Sequence, residues 1–442
     1  MIRAVLSILL LILLNSQVFA EESRPNVLII VSDDQRYGTV EDYMPFTQKE
    51  IFDKGAKFTK GYVTTPSCCP SRASILTGMY ASRHGVKANK FPLEKDNLLH
   101  QMQRAGYRTG LIGKYLNSWP GTPRAEADYW VAFKGGSSKY IDPKLNVNGE
   151  WINHDGHITY ILGDYAREFI RESVADKDPF FLYFTPNAPH RPIDSPPEHK
   201  SLFKDVAKYR PDSWNPSKFK LKQEGFPKWI QRIKRLKPGR IKNVDNFRVL
   251  QNQAVYTLDT AIEKMINLLD DLGQLENTII FYISDNGYLY GEHGLVGKDC
   301  AYQEAIHVPY AVRYDKLVKP GSTYSQLVAN IDIAPTIYDL TVAQPVETMD
   351  GRPLTPIFEG SPYWRNELLI EGWRNNQRAR RPYKGVHDGD FVYIETRGGA
   401  PELYNTNSDP FQVRNLADDT NYQQRALSMK SSMNRIRANA RR

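Results

Sequence analysis

Five short apolar runs, over 26–31, 107–112, 179–184, 278–283 and 308–312, constrain this chain more than any other feature. Each is bounded by turn-forming residues, and amphipathic stretches separate several of them. Runs this short and this uniformly apolar suit strands buried on both faces, which occur in parallel sheets covered by helices. The expected fold class is therefore α/β, with a large mixed, mainly parallel sheet sandwiched by helices. In such sheets ligands gather beyond the carboxyl ends of strands. Asp33-Asp34 and Asp285-Asn286 directly follow two of the runs, and Lys114 and His190 stand just past two others. A helical pattern over 249–272 carries Val255, Leu258, Ile262, Met265, Ile266 and Leu269 on one stripe, with Gly273 as its stop, and a shorter helix is expected over 333–341. Beyond Gly360 the texture changes to short runs with Gly398-Gly399 and the turn Asp409-Pro410, predicting a small C-terminal antiparallel sheet in an α+β subdomain over 361–442.

The main domain is expected over 21–360, because residues 1–20 have the form of a cleaved export signal. Arg3 precedes an apolar run over 4–14, and Val18 and Ala20 occupy the small-residue positions before the cleavage point. The run is too short for a membrane anchor and no later run spans a bilayer, so the mature chain is expected outside the cytoplasm without a membrane span. Three cysteines, two of them adjacent, cannot build a disulfide framework, though a Cys69–Cys300 bridge stays open. No Asn-x-Ser/Thr acceptor with an allowed middle residue occurs, which fits a bacterial periplasmic or extracellular protein. The net charge of +8 is concentrated, since residues 204–248 hold fourteen Lys/Arg against four Asp/Glu. In an exported protein that stretch points to an anionic partner such as a sulfated polysaccharide and not to nucleic acid; a solvated basic loop is the plainer reading of the same residues.

Cys68 precedes Cys69-Pro70-Ser71-Arg72 and a helical run, Ala73 to Leu76, that ends at Gly78. It should sit near a helix N-terminus, where the dipole favours an anion and a thiol would be acidified, with Arg72 one turn on facing the same point. An ordinary buried cysteine fits these residues equally well. Asp33, Asp34, Asp285 and Asn286 offer only oxygen donors, which suits a hard divalent cation and not zinc. Singly, each could equally cap a helix or form a turn.

The stretch from Thr65 to Gly78, with Cys68-Cys69-Pro70-Ser71-Arg72 at its centre and Thr77-Gly78 behind it, resembles the signature of the sulfatase family. Further motifs extend the resemblance over nearly the whole mature chain. They are Arg24-Pro25-Asn26 through Asp34, Gly113-Lys114-Tyr115-Leu116-Asn117, Ala188-Pro189-His190-Arg191-Pro192, Ser284-Asp285-Asn286-Gly287, Gly291-Glu292-His293-Gly294, Lys298 and Asp332-Ile333-Ala334-Pro335-Thr336. The doubled cysteine is most similar to the branch with N-acetylglucosamine-6-sulfatases and bacterial polysaccharide sulfatases.

What this resemblance implies is an alkaline phosphatase-like fold and a nucleophile made by oxidising Cys68 to formylglycine (3-oxoalanine), work done by a dedicated formylglycine-generating maturation enzyme. It further implies a calcium ion held by Asp33, Asp34, Asp285, Asn286 and the residue at 68. Catalytic roles fall on Cys68, Arg72, Lys114, His190 and Lys298. One hydroxyl of the hydrated aldehyde would attack sulfur, and either His190 or Lys298 would protonate the leaving oxygen. Leu116 stands where many members have a histidine, and His84 and His293 are expected to be structural. The implied substrate is a sulfated polysaccharide or oligosaccharide, such as a glycosaminoglycan or an algal glycan like ulvan. Two other readings remain: a phosphate or phosphonate monoester hydrolase of the same superfamily, and an inactive protein that binds sulfated glycans.

Overall fold

A computed structural model describes residues 24–374 and 381–441. The expected export signal lies outside the described residues. Four parallel strands form the centre of a ten-stranded sheet: β1 (Asn26–Ser32), β2 (Arg108–Gly113), β3 (Phe180–Thr185) and β4 (Thr278–Ser284), ordered β2-β3-β1-β4. Beside β2 the sheet continues through a parallel strand, Tyr129–Ala132, to the antiparallel pair Lys144–Val147 and Glu150–Asn153. Beside β4 it continues through the antiparallel Tyr310–Arg313 to Ala56–Phe58 and Ser322–Tyr324. The sheet is thus mixed and mainly parallel at its centre.

Every residue of β1, β3 and β4 is buried, which explains why the sequence shows solid apolar runs here and not an alternating pattern. Alternate side chains enter opposite layers. Val27, Ile29 and Val31 pack with Phe281 and Ile283 and with Ile75 and Leu76 of the helix α1 (Cys68–Thr77). Leu28 and Ile30 pack instead with Phe169 and Ile170 of α2 (Ile158–Ala175) and with Leu258, Ile262 and Met265 of α3 (Pro238–Asp271).

The helix α3 begins eleven residues earlier than its apolar pattern. Pro238 supplies the fixed φ that suits a first helical position, and most of the residues that follow it face solvent, so no periodicity marks them. Its end agrees with the expectation: Gly273 takes φ 65° just past the last turn. The remainder of the basic stretch forms turns and two short helices, Lys218–Gln223 and Lys228–Gln231.

The C-terminal region folds as an antiparallel meander of Leu368–Gly372, Tyr383–His387, Phe391–Thr396 and Glu402–Asn405. Met429 and Met433 of the helix Gln423–Asn439 pack against it. Its core is continuous with the main body, because Ile370, Val386 and Tyr404 share a cluster with Tyr62, Leu289 and Tyr302. No helix among the described residues is long and apolar enough to cross a membrane.

Candidate active site

The carboxyl ends of all four central strands contribute to one buried polar cluster. Asp33 follows β1, Lys114 follows β2, Asp285 follows β4, and His190 lies five residues past the end of β3. Two backbone features set these side chains. Asp34 adopts φ 69°, a left-handed conformation that aspartate tolerates better than most residues, and the chain turns there immediately after the strand. Gly113 has φ 120°, and a Cβ on it would stand 2.1 Å from the Thr185 carbonyl oxygen; this close approach lets the Lys114 amide donate to that same oxygen at 2.7 Å.

Cys68 is the first residue of α1 and is 2% exposed. The Lys298 ammonium donates to its Sγ at 2.8 Å, and the thiol lies 3.5 Å from Asp33 Oδ1. Lys298 also pairs with Asp34, and Lys114 pairs with Asp33. Arg72 is wholly buried; its Nε donates to Asp285 Oδ2 at 2.9 Å, and its Nη1 donates to the Lys114 carbonyl at 2.8 Å. Asn286 Nδ2 donates to Asp34 Oδ1 at 2.7 Å. His190 Nε2 stands 3.8 Å from Asp34 Oδ2, while its Nδ1 lies 2.6 Å from the Arg191 carbonyl, the contact of a protonated Nδ1. All nine residues named for catalysis or metal binding therefore meet in this one place.

Charge governs the cluster. Three carboxylates, Asp33, Asp34 and Asp285, face three cations, Arg72, Lys114 and Lys298, in a region nearly closed to water. Burial alone would raise Asp33, but Lys114, His190, Arg72 and Lys298 hold it well below the usual carboxylate range. Asp34 is also held down, against its burial, chiefly by Lys298 and His190. Asp285 is raised by burial and by its neighbour Asp33. Both lysines stay charged because the carboxylates outweigh their desolvation. Burial lowers His190. The expectation of an acidified thiol is corrected: burial first, and then the Asp33 charge, push Cys68 well up, outweighing the two lysines.

Several residues placed around the cluster escaped the sequence reading. Gln251, buried on α3, donates to the Asp34 and Pro189 carbonyls at 3.3 and 3.2 Å, tying the β1 loop to the His190 loop. The Tyr140 hydroxyl donates to the carbonyls of Asn187 and His190. Arg36 pairs with Glu292 at 2.6 Å and lies between the rings of Tyr209 and Tyr290. The run Gln251-Asn252-Gln253, polar on a helix that otherwise packs apolar residues, was the available signal. His84 is buried against Ser74 Oγ at 3.1 Å, and His293 stacks on Tyr302. Burial lowers both to about 3, which suits structural imidazoles. Cys69 takes part in no disulfide, so the Cys69–Cys300 bridge left open by the sequence does not form.

The donor chemistry fits a hard divalent cation. Asp33, Asp34, Asp285 and Asn286 are fully or almost fully buried oxygen donors, and Asn286 Oδ1 has no hydrogen-bond partner. One ligand atom each from Asp33, Asp34, Cys68 and His190 lie within 4.8 Å of one another. His190 thus stands at the edge of the oxygen-donor set.

Comparison with known proteins gives a consistent picture. The family described as Sulfatase matches residues 25–343, and the one described as N-sulphoglucosamine sulphohydrolase, C-terminal, matches residues 291–439. The N-acetylglucosamine-6-sulfatase of Homo sapiens is 30% identical over 469 residues, covering 90% of this chain and 82% of that one. An extracellular sulfatase SULF-1 homolog of Drosophila melanogaster is 31% identical over 383 residues, or 80% of this chain. This chain spans only 33% of the fly protein and 54% of its Caenorhabditis elegans counterpart. Among solved structures, a protein in complex with its substrate D-glucosamine-2-N,6-O-disulfate aligns with TM-score 0.83 at 22% identity, over 94% of this chain and 98% of the other. The phosphonate monoester hydrolase of Silicibacter pomeroyi aligns with TM-score 0.78 at 22% identity, over 94% and 96%. These two structural likenesses are of fold.

Proposed function

Because this chain belongs to the sulfatase family, we propose that it hydrolyses sulfate esters on sulfated glycans of the glycosaminoglycan type, using the buried cluster around residue 68. The observation that carries this reading is the position of Cys68 Sγ, at a helix head, 2.8 Å from Lys298 Nζ and beside Asp33. Export through the leader 1–20 is part of the proposal and agrees with the extracellular relatives.

In the proposed enzyme, Asp33, Asp34, Asp285 and Asn286 would hold calcium, which would draw charge from the sulfate oxygens, and formylglycine made from Cys68 would supply the hydrated aldehyde as nucleophile. Arg72 fixes Asp285 and keeps a positive charge behind the reacting group, and Lys114 does the same at Asp33. Lys298, charged against Asp34 and in contact with residue 68, is placed to give a proton to the departing sugar oxygen. His190 presents the Nε2 lone pair to the pocket when Nδ1 donates to the Arg191 carbonyl. It can then accept the proton that residue 68 must release. Preorganised positive charge of this kind, in a site closed to water, stabilises a transition state more than it would in solvent.

Sulfate release from 6-O-sulfated N-acetylglucosamine, measured beside phosphate release from an aryl phosphate, tests the proposal with protein matured by a formylglycine-generating enzyme. We expect sulfate release to dominate and to vanish in Cys68→Ala. Dominant phosphate turnover would place the chain with the monoester hydrolases instead. Binding of sulfated glycans with no sulfate release would leave only the inactive-binder reading.

A further inference from the structure

Next to the cluster an open groove of about 380 Å³ runs between Arg191 and Ile193 on one side, Val296 on another, and the first turns of α3. From the helix it takes Arg240, Asn243, Phe247 and Leu250, spaced three to four residues apart and so presented on one face. Arg191 directly follows His190, and Val296 precedes Lys298 by two residues, so the groove adjoins the cluster along two separate stretches of backbone.

The groove is built for a particular kind of ligand. Its charged lining is of one sign, because Arg191 and Arg240 face it and no carboxylate does among the described residues. The Arg191 guanidinium lies 4.7 Å from the Phe247 ring centroid and is held by the Tyr288 hydroxyl, so its position is set by neutral groups and its charge is left for a ligand. Nearby Arg210, by contrast, already forms a two-pronged pair with Asp245 at 2.9 and 2.7 Å. The same lining is otherwise largely apolar, from Ile193, Phe247, Leu250 and Val296. A free inorganic anion has no use for such a lining. A pyranose ring with an acidic substituent uses both features, placing its C–H face on the apolar side chains and its anion at the arginines. Four of the lining residues, Arg240, Asn243, Val244 and Phe247, lie in the stretch 204–248, whose fourteen basic residues against four acidic ones favour approach of a polyanion.

We propose that this groove is a second-ring subsite, taking an anionic sugar residue joined to the one whose sulfate ester enters the cluster. The proposal rests on the sulfatase reading, and it makes the preferred substrate an oligosaccharide with adjacent acidic rings. The test compares kcat/KM on three matched substrates: a 6-O-sulfated N-acetylglucosamine, the same residue linked to a neutral sugar, and the same residue linked to a uronate or to a second sulfated sugar. The anionic neighbour is expected to raise kcat/KM roughly tenfold over the neutral one, through KM, and Arg240→Glu is expected to erase the gain. The uronate and sulfated arms show which acid the groove prefers. Equal kcat/KM on all three substrates would overturn the subsite while leaving the sulfatase reading intact. Calorimetric binding of the uronate disaccharide that lacks the scissile sulfate reads the groove without turnover. Arg240→Glu should weaken that binding roughly tenfold, and unchanged affinity would overturn the proposal even if no sulfate were released from any substrate.

Discussion

Lys298 and His190 both reach the centre of the cluster, but they hold their protons differently, and substitution separates their roles. Lys298→Met removes the cation that touches both Cys68 and Asp34. It should lower kcat about 10²- to 10⁴-fold, with less loss on substrates whose leaving group needs no proton, such as a nitrophenyl sulfate. His190→Gln should lower kcat on good and poor leaving groups alike, because the imidazole is assigned to the proton on residue 68; the opposite pattern in the two variants would exchange the roles. Asn286→Ala addresses the cation. It removes the Oδ1 that has no partner within the protein together with the Nδ2 bond to Asp34, and it should raise the calcium concentration needed for half-maximal activity after chelation by about tenfold or more. The identity of these side chains was legible in the sequence because each follows a strand or a motif directly. The state of Cys68 was not, because the helix head and lysines that would acidify a thiol act here at a fully desolvated sulfur beside Asp33.

At the level of elements, Gly113 controls the geometry where β2 hands over to Lys114. Gly113→Ala would force a methyl group onto the Thr185 carbonyl at a backbone angle that side chains rarely adopt, and it should cost roughly 2–4 kcal/mol in urea unfolding and reduce activity by moving Lys114. A loss under about 0.5 kcal/mol would show that the loop relaxes freely. In the sheet, Ile29→Ala opens a cavity between β1 and α1 and should cost about 2–5 kcal/mol. The strands were legible because burial on both faces writes them as solid apolar runs. The first turns of α3 were not, because residues around Arg240 and Lys242 face solvent and carry no periodic signal. Gln251 was missed for the opposite reason: it is buried, but its role is to bind two carbonyls from loops whose path no local pattern reveals.

Across the whole molecule, the C-terminal sheet is joined to the main body by apolar packing and by the buried carboxyls of Glu371, which accepts from the Ser82 amide, and Glu402. Glu402 accepts hydrogen bonds from the Tyr302 and Tyr404 hydroxyls at 2.7 and 2.8 Å, and burial raises it from 4.5 to about 7. A carboxyl raised on folding contributes stability in full below pH 4.5 and loses it as the pH rises through about 7. Glu402→Gln should therefore flatten the fall in stability across that window by roughly 2–3 kcal/mol, read as the difference between urea unfolding curves at the two ends. An identical slope in wild type and variant would mean that the carboxyl is solvated in the native state. The apolar partners on both sides of this junction were not legible, since Tyr302 and Tyr404 lie far apart in sequence and meet only in the fold. The burial of Cys68, finally, would turn the proposed maturation into a question of schedule. Cys68 is 2% exposed, in the first turn of a helix whose every residue is buried, and would be out of reach of a second enzyme once the sheet has closed. On the proposed reading, conversion to formylglycine would have to overtake folding, and a chain that folds first would be lost to the pool unless α1 reopens. A peptide spanning residues 60–80 should be converted readily by a formylglycine-generating enzyme and the folded, unconverted protein not at all; equal rates would mean that the native chain opens at α1 on the timescale of the assay.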